Sequence, residues 1–200
     1  MMIKKRIIWQ YELKLAKRAA KELFKEQKPT KGWNLLVFPL YLVQYLRYKS
    51  TLRSVRNNFL FTKKLALEAA VQVIGGQTEA TQMRIIETRT RMLLQGRTRP
   101  YYTQAIRRKQ LIEIELLIRH YVALLKSSAT SYEAMIREVY PDRNSYTSFL
   151  KRLQQVEREV LAASATTLKK SSKKKRIEWF GKIEQTFKAL REKEATAIYS

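Results

Sequence analysis

Cysteine is absent from the 200 residues, which excludes disulfide bonds and thiolate chemistry. With a single histidine, His120, the chain also lacks the ligands for a zinc site of the Cys/His type. Glycine and proline are scarce, at five and four residues, so few tight turns are available. Because alanine, leucine, lysine, arginine, glutamate and glutamine are common throughout, this composition is typical of a mostly helical chain.

Residues arranged for catalysis are missing as well. Glu113 and Glu115 lie two positions apart, so on a helix their side chains diverge by about 200° and cannot act as a pair. Gly75-Gly76 fits neither a P-loop nor a dinucleotide fingerprint. His120 falls on an apolar face beside Tyr121, which favours a core position for it. We therefore predict a protein that is not an enzyme and that has no catalytic residue, metal or cofactor.

Acidic residues are few, and this shortage points to a class of partner. The chain has 41 lysines and arginines against 17 aspartates and glutamates, a formal charge of +24. Residues 1–64 alone hold 16 basic and 3 acidic side chains. Such an excess is larger than solubility requires, and it attracts polyanions. The sequence therefore predicts binding to an anionic membrane surface or to nucleic acid.

No apolar run reaches the length of a membrane-spanning helix, but one shorter run stands out. Residues 33–48 read WNLLVFPLYLVQYLRY, with basic residues on both sides. A helix over the 14 residues from Trp33 to Leu46 would measure roughly 21 Å, against about 30 Å for a bilayer core. If basic flanks stay on the cytoplasmic side, both ends of the segment lie on that side. The length suits an interfacial or re-entrant segment.

Two interpretations of this segment stay open, insertion into a membrane interface and burial as a core helix. Rings of tyrosine and tryptophan are enriched at headgroup depth, and a proline in the middle of a packed helix costs about 3 kcal/mol. Both observations favour insertion. The residues predicted to insert are Trp33, Leu35, Leu36, Val37, Phe38, Pro39, Leu40, Tyr41, Leu42, Val43, Tyr45, Leu46 and Tyr48.

Clusters of basic residues predict the surfaces that contact the polyanion. One cluster flanks the apolar segment, a second spans residues 84–109 around Tyr101 and Tyr102, and a third spans residues 169–176. Arginine binds phosphate through two parallel hydrogen bonds, which suits lipid headgroups and nucleic acid alike. The predicted anion-binding residues are Lys28, Lys31, Arg47, Lys49, Arg53, Arg56, Arg84, Arg89, Arg91, Arg97, Arg99, Arg107, Arg108, Lys109, Lys173, Lys174, Lys175 and Arg176.

Apolar residues recur with the helical period along most of the chain, and sustained alternation of the strand type is missing. The expected helices span about 3–27, 50–74, 79–95, 102–126, 132–140, 145–168 and 177–197. The helix at 102–126 carries more apolar surface than one neighbour can cover, so it should be central. We predict an all-α fold, an irregular bundle of about seven to eight helices with a short Pro-kinked apolar hairpin or interfacial segment near residues 33–48. Residues 1–168 should form the helical domain, and residues 169–200 a basic linker with an amphipathic helix.

Our leading hypothesis is a helical accessory or scaffold subunit on the cytoplasmic face of a membrane. It would bind anionic lipid and a protein partner, peripherally or monotopically. The alternative is a cytoplasmic protein that binds RNA or DNA through the clusters at 84–109 and 169–176. A third hypothesis is a basic subunit of a soluble assembly with residues 33–48 buried against another chain.

Overall fold

The computed structural model describes residues 1–25, 38–95, 102–167 and 173–200, and gives the backbone alone for 38–49, 51, 54, 55 and 173–177. All regular structure in these ranges is helical, so the prediction of an all-α, multi-helix bundle is confirmed. The helices are α1 (Met2–Leu23), α2 (Phe38–Ile74), α3 (Glu79–Gln95), α4 (Gln104–Lys126), α5 (Tyr132–Val139), α6 (Arg143–Ala165) and α7 (Lys173–Tyr199).

The long helix α2 differs from what the sequence led us to expect. The helix expected over about residues 50–74 begins earlier, at Phe38, and continues without interruption to Ile74. Pro39 therefore occupies the first turn, where a missing N–H has no acceptor within the helix and costs nothing. Residues 33–37, the first part of the predicted hairpin, lie outside the described residues.

Helix ends follow recognisable local chemistry. Gly76 adopts a φ of 98° just after α2, a conformation that glycine reaches without steric cost. The backbone N–H of Thr81 donates to Thr78 Oγ1 at 3.1 Å and caps the start of α3. Side-chain caps of the same kind begin three further helices, at Thr103, Ser131 and Asp142.

Side-chain contacts fix the direction of α1 relative to α4. Lys4 Nζ donates to the carbonyl of Ser127, and Tyr121 Oη donates to Glu12 Oε1 at 2.7 Å. The start of α1 thus lies beside the end of α4, and the two helices are antiparallel.

Two contacts fix the direction of α3 relative to α4. Arg107 Nε donates to Thr90 Oγ1 at 3.0 Å, and Arg119 Nε donates to Glu79 Oε1 at 2.9 Å. These helices are therefore antiparallel. Since α3 also turns back along α2 after Gly76, α2 runs parallel to α4.

The last two helices continue the alternation. Lys109 of α4 pairs with Glu159 of α6 at 2.8 Å, while His120 stacks on Phe149 with ring centroids 4.2 Å apart. Helix α6 is thus antiparallel to α4. In turn α7 is antiparallel to α6, because Arg158 contacts Glu184 and Tyr146 contacts Glu194.

The bundle consequently has two distinct ends. We call the end where α1, α3 and α6 stop and α2, α4 and α7 begin the Phe38 end. The opposite end, where α2 stops, is the Ile74 end, and it also carries α5. Three junctions between long helices, at residues 24–37, 96–103 and 166–172, leave from the Phe38 end.

The core lies around α4, which packs against α1, α2, α3, α5 and α6, as predicted for the most apolar long helix. Its side chains Ile114, Ile118, Tyr121 and Leu124 are fully buried. Helix α7 contributes Ala195 and Ile198 to the same core cluster. The boundary predicted at residue 168 therefore does not separate two hydrophobic cores.

Candidate functional site

Charge is distributed unequally between the junctions at the two ends of the bundle. The three segments that join helices at the Phe38 end, residues 24–37, 96–103 and 166–172, contain seven lysines and arginines and one glutamate. The segments at the Ile74 end, residues 75–78, 127–131 and 140–142, contain no basic residue and one aspartate. The helices at the Phe38 end are therefore joined by segments that are rich in basic residues, and those at the Ile74 end are not.

Helix α2 extends well beyond the start of α4 at this same end. Lys63 of α2 lies level with Glu113 of α4, because Lys63 Nζ donates to Glu113 Oε1 at 2.5 Å. Gln104, nine positions before Glu113, is then level with Ser54, and Phe38 lies 16 residues further out, roughly 24 Å. The projecting turns carry the sequence FPLYLVQYLRY. The apolar start of α2 therefore lies beyond the start of α4 at the Phe38 end.

Helix α7 accompanies part of this projection. Phe59 of α2 stacks on Phe187 of α7, with ring centroids 4.2 Å apart. Lys173 lies 14 positions before Phe187, so α7 begins about level with residue 45 of α2. Its first residues are Lys173, Lys174, Lys175 and Arg176. The third predicted basic cluster is therefore next to the first along the bundle axis.

The structure locates the residues predicted to insert only in part. Phe38, Pro39, Leu40, Tyr41, Leu42, Val43, Tyr45, Leu46 and Tyr48 form the first turns of α2, where the backbone alone is described. Trp33, Leu35, Leu36 and Val37 lie outside the described residues. No helix in the described ranges combines the length and the apolar character needed to cross a membrane.

The predicted anion-binding residues divide into four groups. Five have exposed side chains, namely Arg53, Arg84, Arg89, Arg91 and Arg108, and two are half-buried, Arg56 and Lys109. Backbone positions alone are described for Arg47, Lys49, Lys173, Lys174, Lys175 and Arg176, whereas Lys28, Lys31, Arg97 and Arg99 lie outside the described residues.

The remaining one, Arg107, is buried with 6% of its surface exposed. Its guanidinium donates to Thr90 Oγ1 at 3.0 Å and to the carbonyl of Glu87 at 2.9 Å. These bonds join α4 to the end of α3. Arg107 therefore serves packing, and its place in the predicted anion-binding set has to be corrected.

A buried ionic network that the sequence did not reveal crosses the middle of the bundle. Lys63 of α2, with 2% side-chain exposure, contacts Glu113 of α4 at 2.5 Å and Glu157 of α6 at 2.7 Å. Arg191 of α7 binds both oxygens of Glu157, at 2.6 and 2.8 Å. Thr62 donates a further bond to Glu113 at 2.8 Å. Two cations thus face two anions, and four helices share the network.

The electrostatics of this network follow from its pairing. Burial alone would raise the pKa of Glu157, but Arg191 and Lys63 outweigh it and lower that pKa to about 2. Burial would lower the pKa of Lys63, yet the carboxylates of Glu113 and Glu157 raise it. Glu157 and Lys63 are consequently charged at neutral pH, and their ion pair links α2 to α6.

A second group of polar side chains joins α7 to α1 and α6. Tyr11 Oη and Tyr146 Oη both donate to the Glu194 carboxylate, the latter at 3.0 Å. Burial raises the pKa of Glu194 to about 7, although the two tyrosine bonds oppose the rise. Tyr11 in turn stacks on Tyr132, with ring centroids 3.7 Å apart.

His120 occupies the core position expected from the sequence. It is buried, stacks on Phe149 and has Nδ1 2.9 Å from Tyr140 Oη. Burial, and then the positive charge of Arg191, lower the pKa of His120 to about 3. The ring is therefore neutral in the folded protein near pH 7.

The outer face of α1 carries a further basic surface that the sequence-based prediction omitted. Gln10, Leu13, Lys14, Lys17, Arg18 and Lys21 line a shallow depression of about 340 Å³.

Comparison of the chain with protein-family models, with curated proteins and with solved structures gives no match.

Proposed function

We propose that the protein is a non-enzymatic, membrane-associated helical subunit that attaches through its Phe38 end to an anionic membrane surface. The apolar start of α2 enters the interface, and the surrounding basic junctions bind lipid phosphates. The attachment is peripheral or monotopic, on the cytoplasmic face, and it leaves the rest of the bundle available to a protein partner.

One observation carries this proposal: the apolar start of α2 reaches roughly 24 Å beyond the start of α4, at the end of the bundle where α7 begins with three lysines and an arginine. Amphipathic insertion needs apolar side chains at the depth of the acyl boundary and cations at the depth of the phosphates. Each basic residue near an anionic leaflet contributes about 1 kcal/mol to binding. The apolar start of α2 and the basic start of α7 lie at the same end of the bundle, which supports the proposal.

The experiment is flotation of the purified protein with vesicles of neutral phosphatidylcholine, alone or with one third phosphatidylserine. We expect the wild type to float with the anionic vesicles and to remain bound in 0.5 M salt. Leu36→Ser, Leu40→Ser and Leu42→Ser together should preserve the circular-dichroism spectrum but abolish the binding that survives salt. Absence of the wild type from every vesicle fraction would refute membrane attachment.

A matched pair of charge variants separates lipid binding from net charge. The junction variant changes Arg97, Arg99, Lys169 and Lys170 to Gln, and should lower affinity for the anionic vesicles roughly 100- to 1000-fold. The control variant changes four exposed residues in the half of the bundle toward the Ile74 end to Gln: Lys126, Arg143, Arg152 and Lys193. Equal losses in both variants would contradict a site at the Phe38 end.

A further inference from the structure

The basic surface on α1 has no partner within the described part of the protein. Lys14, Lys17, Arg18 and Lys21 are all exposed and make no ion pair or side-chain hydrogen bond there. Elsewhere on the described surface, cations such as Lys109 and Arg158 bind carboxylates of neighbouring helices, Glu159 at 2.8 Å in the first case.

The acidic residues of α1 do not neutralise this surface. Glu12 points to the opposite side of the helix, where it is buried and accepts the hydrogen bond of Tyr121. Glu22 is exposed and lies 3.9 Å from Lys25, three positions later. Four uncompensated charges therefore lie along one helix side, because both Lys17 and Arg18 are three or four positions from Lys14 and from Lys21.

The direction of the row separates it from the proposed membrane site. Lys14 and Lys21 are seven residues apart, so the row covers about 10 Å along the helix axis. Helix α1 runs along the bundle, whereas the Phe38 end lies across it. A bilayer reached by the tip of α2 cannot lie flat against the side of α1.

The composition of the row indicates what it binds. Protein interfaces have apolar centres that are depleted of charge, but here Leu13, half-buried, is the single apolar side chain that lines the depression. Single-stranded nucleic acids bind through exposed aromatic rings, and none lines this depression. A duplex presents one phosphate charge for about every 1.7 Å of its axis, which matches a row of cations without rings.

We propose that the outer face of α1 binds the phosphate backbone of double-stranded nucleic acid, without sequence preference, through Lys14, Lys17, Arg18 and Lys21. This inference does not depend on membrane attachment, because it uses a different face of the bundle. It predicts a strong dependence of affinity on salt, since each phosphate contact releases bound counterions.

The test is fluorescence anisotropy with a labelled 24-base-pair DNA duplex, titrated with the full chain at several salt concentrations. Changing Lys14, Lys17, Arg18 and Lys21 to Gln should reduce the slope of log affinity against log salt by about 3 to 4 units. The control variant defined above, with the same change in net charge, should reduce the slope by less than 1. Thermal melts of both variants verify that they are folded.

Three outcomes would overturn this inference. Equal slopes in the two variants would mean that net charge alone attracts the duplex. Loss of binding to a poly-glutamate peptide, but not to the duplex, in the α1 variant would assign the surface to an acidic protein. Loss of vesicle flotation with unchanged duplex binding would assign it to lipid. The junction variant at the Phe38 end, tested in parallel, should retain the wild-type salt slope.

Discussion

Lys63 illustrates how much a single residue can organise in this bundle. Its ammonium group has 2% side-chain exposure and contacts carboxylates from two other helices. Transferring a charged group from water into the protein interior costs several kcal/mol, and the attraction of well-placed partners offsets that cost. Such a group adds little net stability while paired, but its loss leaves charges buried without compensation.

Replacement of Lys63 by Met should therefore destabilise the protein by about 3 to 5 kcal/mol. The Glu113 carboxylate would remain buried with only Thr62 as a hydrogen-bond partner. Urea unfolding followed by circular dichroism measures the change. The adjacent Lys64→Met is the control: this side chain is 64% exposed, and its loss should cost no more than about 0.5 kcal/mol. Similar effects of the two substitutions would contradict the buried network.

A second prediction at this scale concerns pH and Glu194, whose pKa rises from 4.5 to about 7 on folding. A raised pKa means that the stabilising contribution is complete below pH 4.5 and is lost as pH increases toward 7. Gln mimics the protonated side chain at every pH. The free energy of unfolding of Glu194→Gln, relative to the wild type, should therefore increase between pH 5 and pH 8.

The same measurement on Glu157→Gln should give the opposite trend. The lowered pKa of Glu157 stabilises the fold above pH 4.5, and this contribution disappears as pH falls toward 2. The variant should be far less stable than the wild type at pH 7 and approach it near pH 2. Parallel stability curves for wild type and either variant would show that the carboxylate titrates normally.

The sequence could not reveal these ion pairs and hydrogen bonds, because they join residues that are distant along the chain. We compared acids within one helix, Glu113 with Glu115, and found that their side chains diverge. The functional pairing of Glu113 and Glu157 arises through Lys63, 50 and 94 positions away. One local signal was available: Glu12 falls within the apolar stripe of α1, a place where a charge requires a buried partner.

At the scale of helices, sequence periodicity predicted the helix bounds well where the residues that end a helix are adjacent to it in sequence. Helix α3 spans Glu79–Gln95, the same range that we expected from the sequence. The error at α2 has a physical reason. We expected this helix to begin at about residue 50, but α2 begins at Phe38, because a proline is tolerated in the first turn of a helix. From sequence alone, the position of that start could not be known.

Two glycines provide a prediction about helix ends and interiors. Gly76 has a φ of 98° after α2, so Gly76→Ala should destabilise the protein by about 1 to 2 kcal/mol. Gly181 lies inside α7 with open space around an added Cβ, so Gly181→Ala should stabilise it by about 0.5 to 1 kcal/mol. Thermal unfolding midpoints measure both. A shift in the same direction for both variants would contradict the assigned conformations.

At the scale of the whole molecule, α7 determines whether the chain is one cooperative unit. It supplies Phe187, Ala195 and Ile198 to buried clusters and Arg191 to the ionic network. A chain that ends at residue 168 should therefore lose cooperative unfolding and bind a hydrophobic dye. Far-ultraviolet circular dichroism and dye fluorescence test this. A truncated chain that melts cooperatively would support the two-part division expected from the basic run at 169–176.

The class of fold was predictable because helical periodicity and the shortage of turn residues extend over the whole chain. The arrangement of the candidate site was not. Residues 33–48, the cluster at 84–109 and the run at 169–176 are far apart in sequence, and nothing in their composition indicates a common location. The described parts of these segments lie toward the Phe38 end because the helix directions alternate, and this alternation depends on contacts such as the one between Lys109 and Glu159.

The unequal charge of the junctions at the two ends also orients the molecule before it contacts a binding surface. The junctions that leave the Phe38 end hold seven basic residues and one glutamate, whereas cations of the Ile74 end such as Lys4 and Arg143 are accompanied by Glu133, Glu138 and Asp142, and this inequality creates an electric dipole along the long axis. In the field of a negatively charged body, within about 10 Å at physiological salt, such a dipole experiences a torque. The protein should rotate during diffusion so that the Phe38 end leads, and the first collision is then already the productive one.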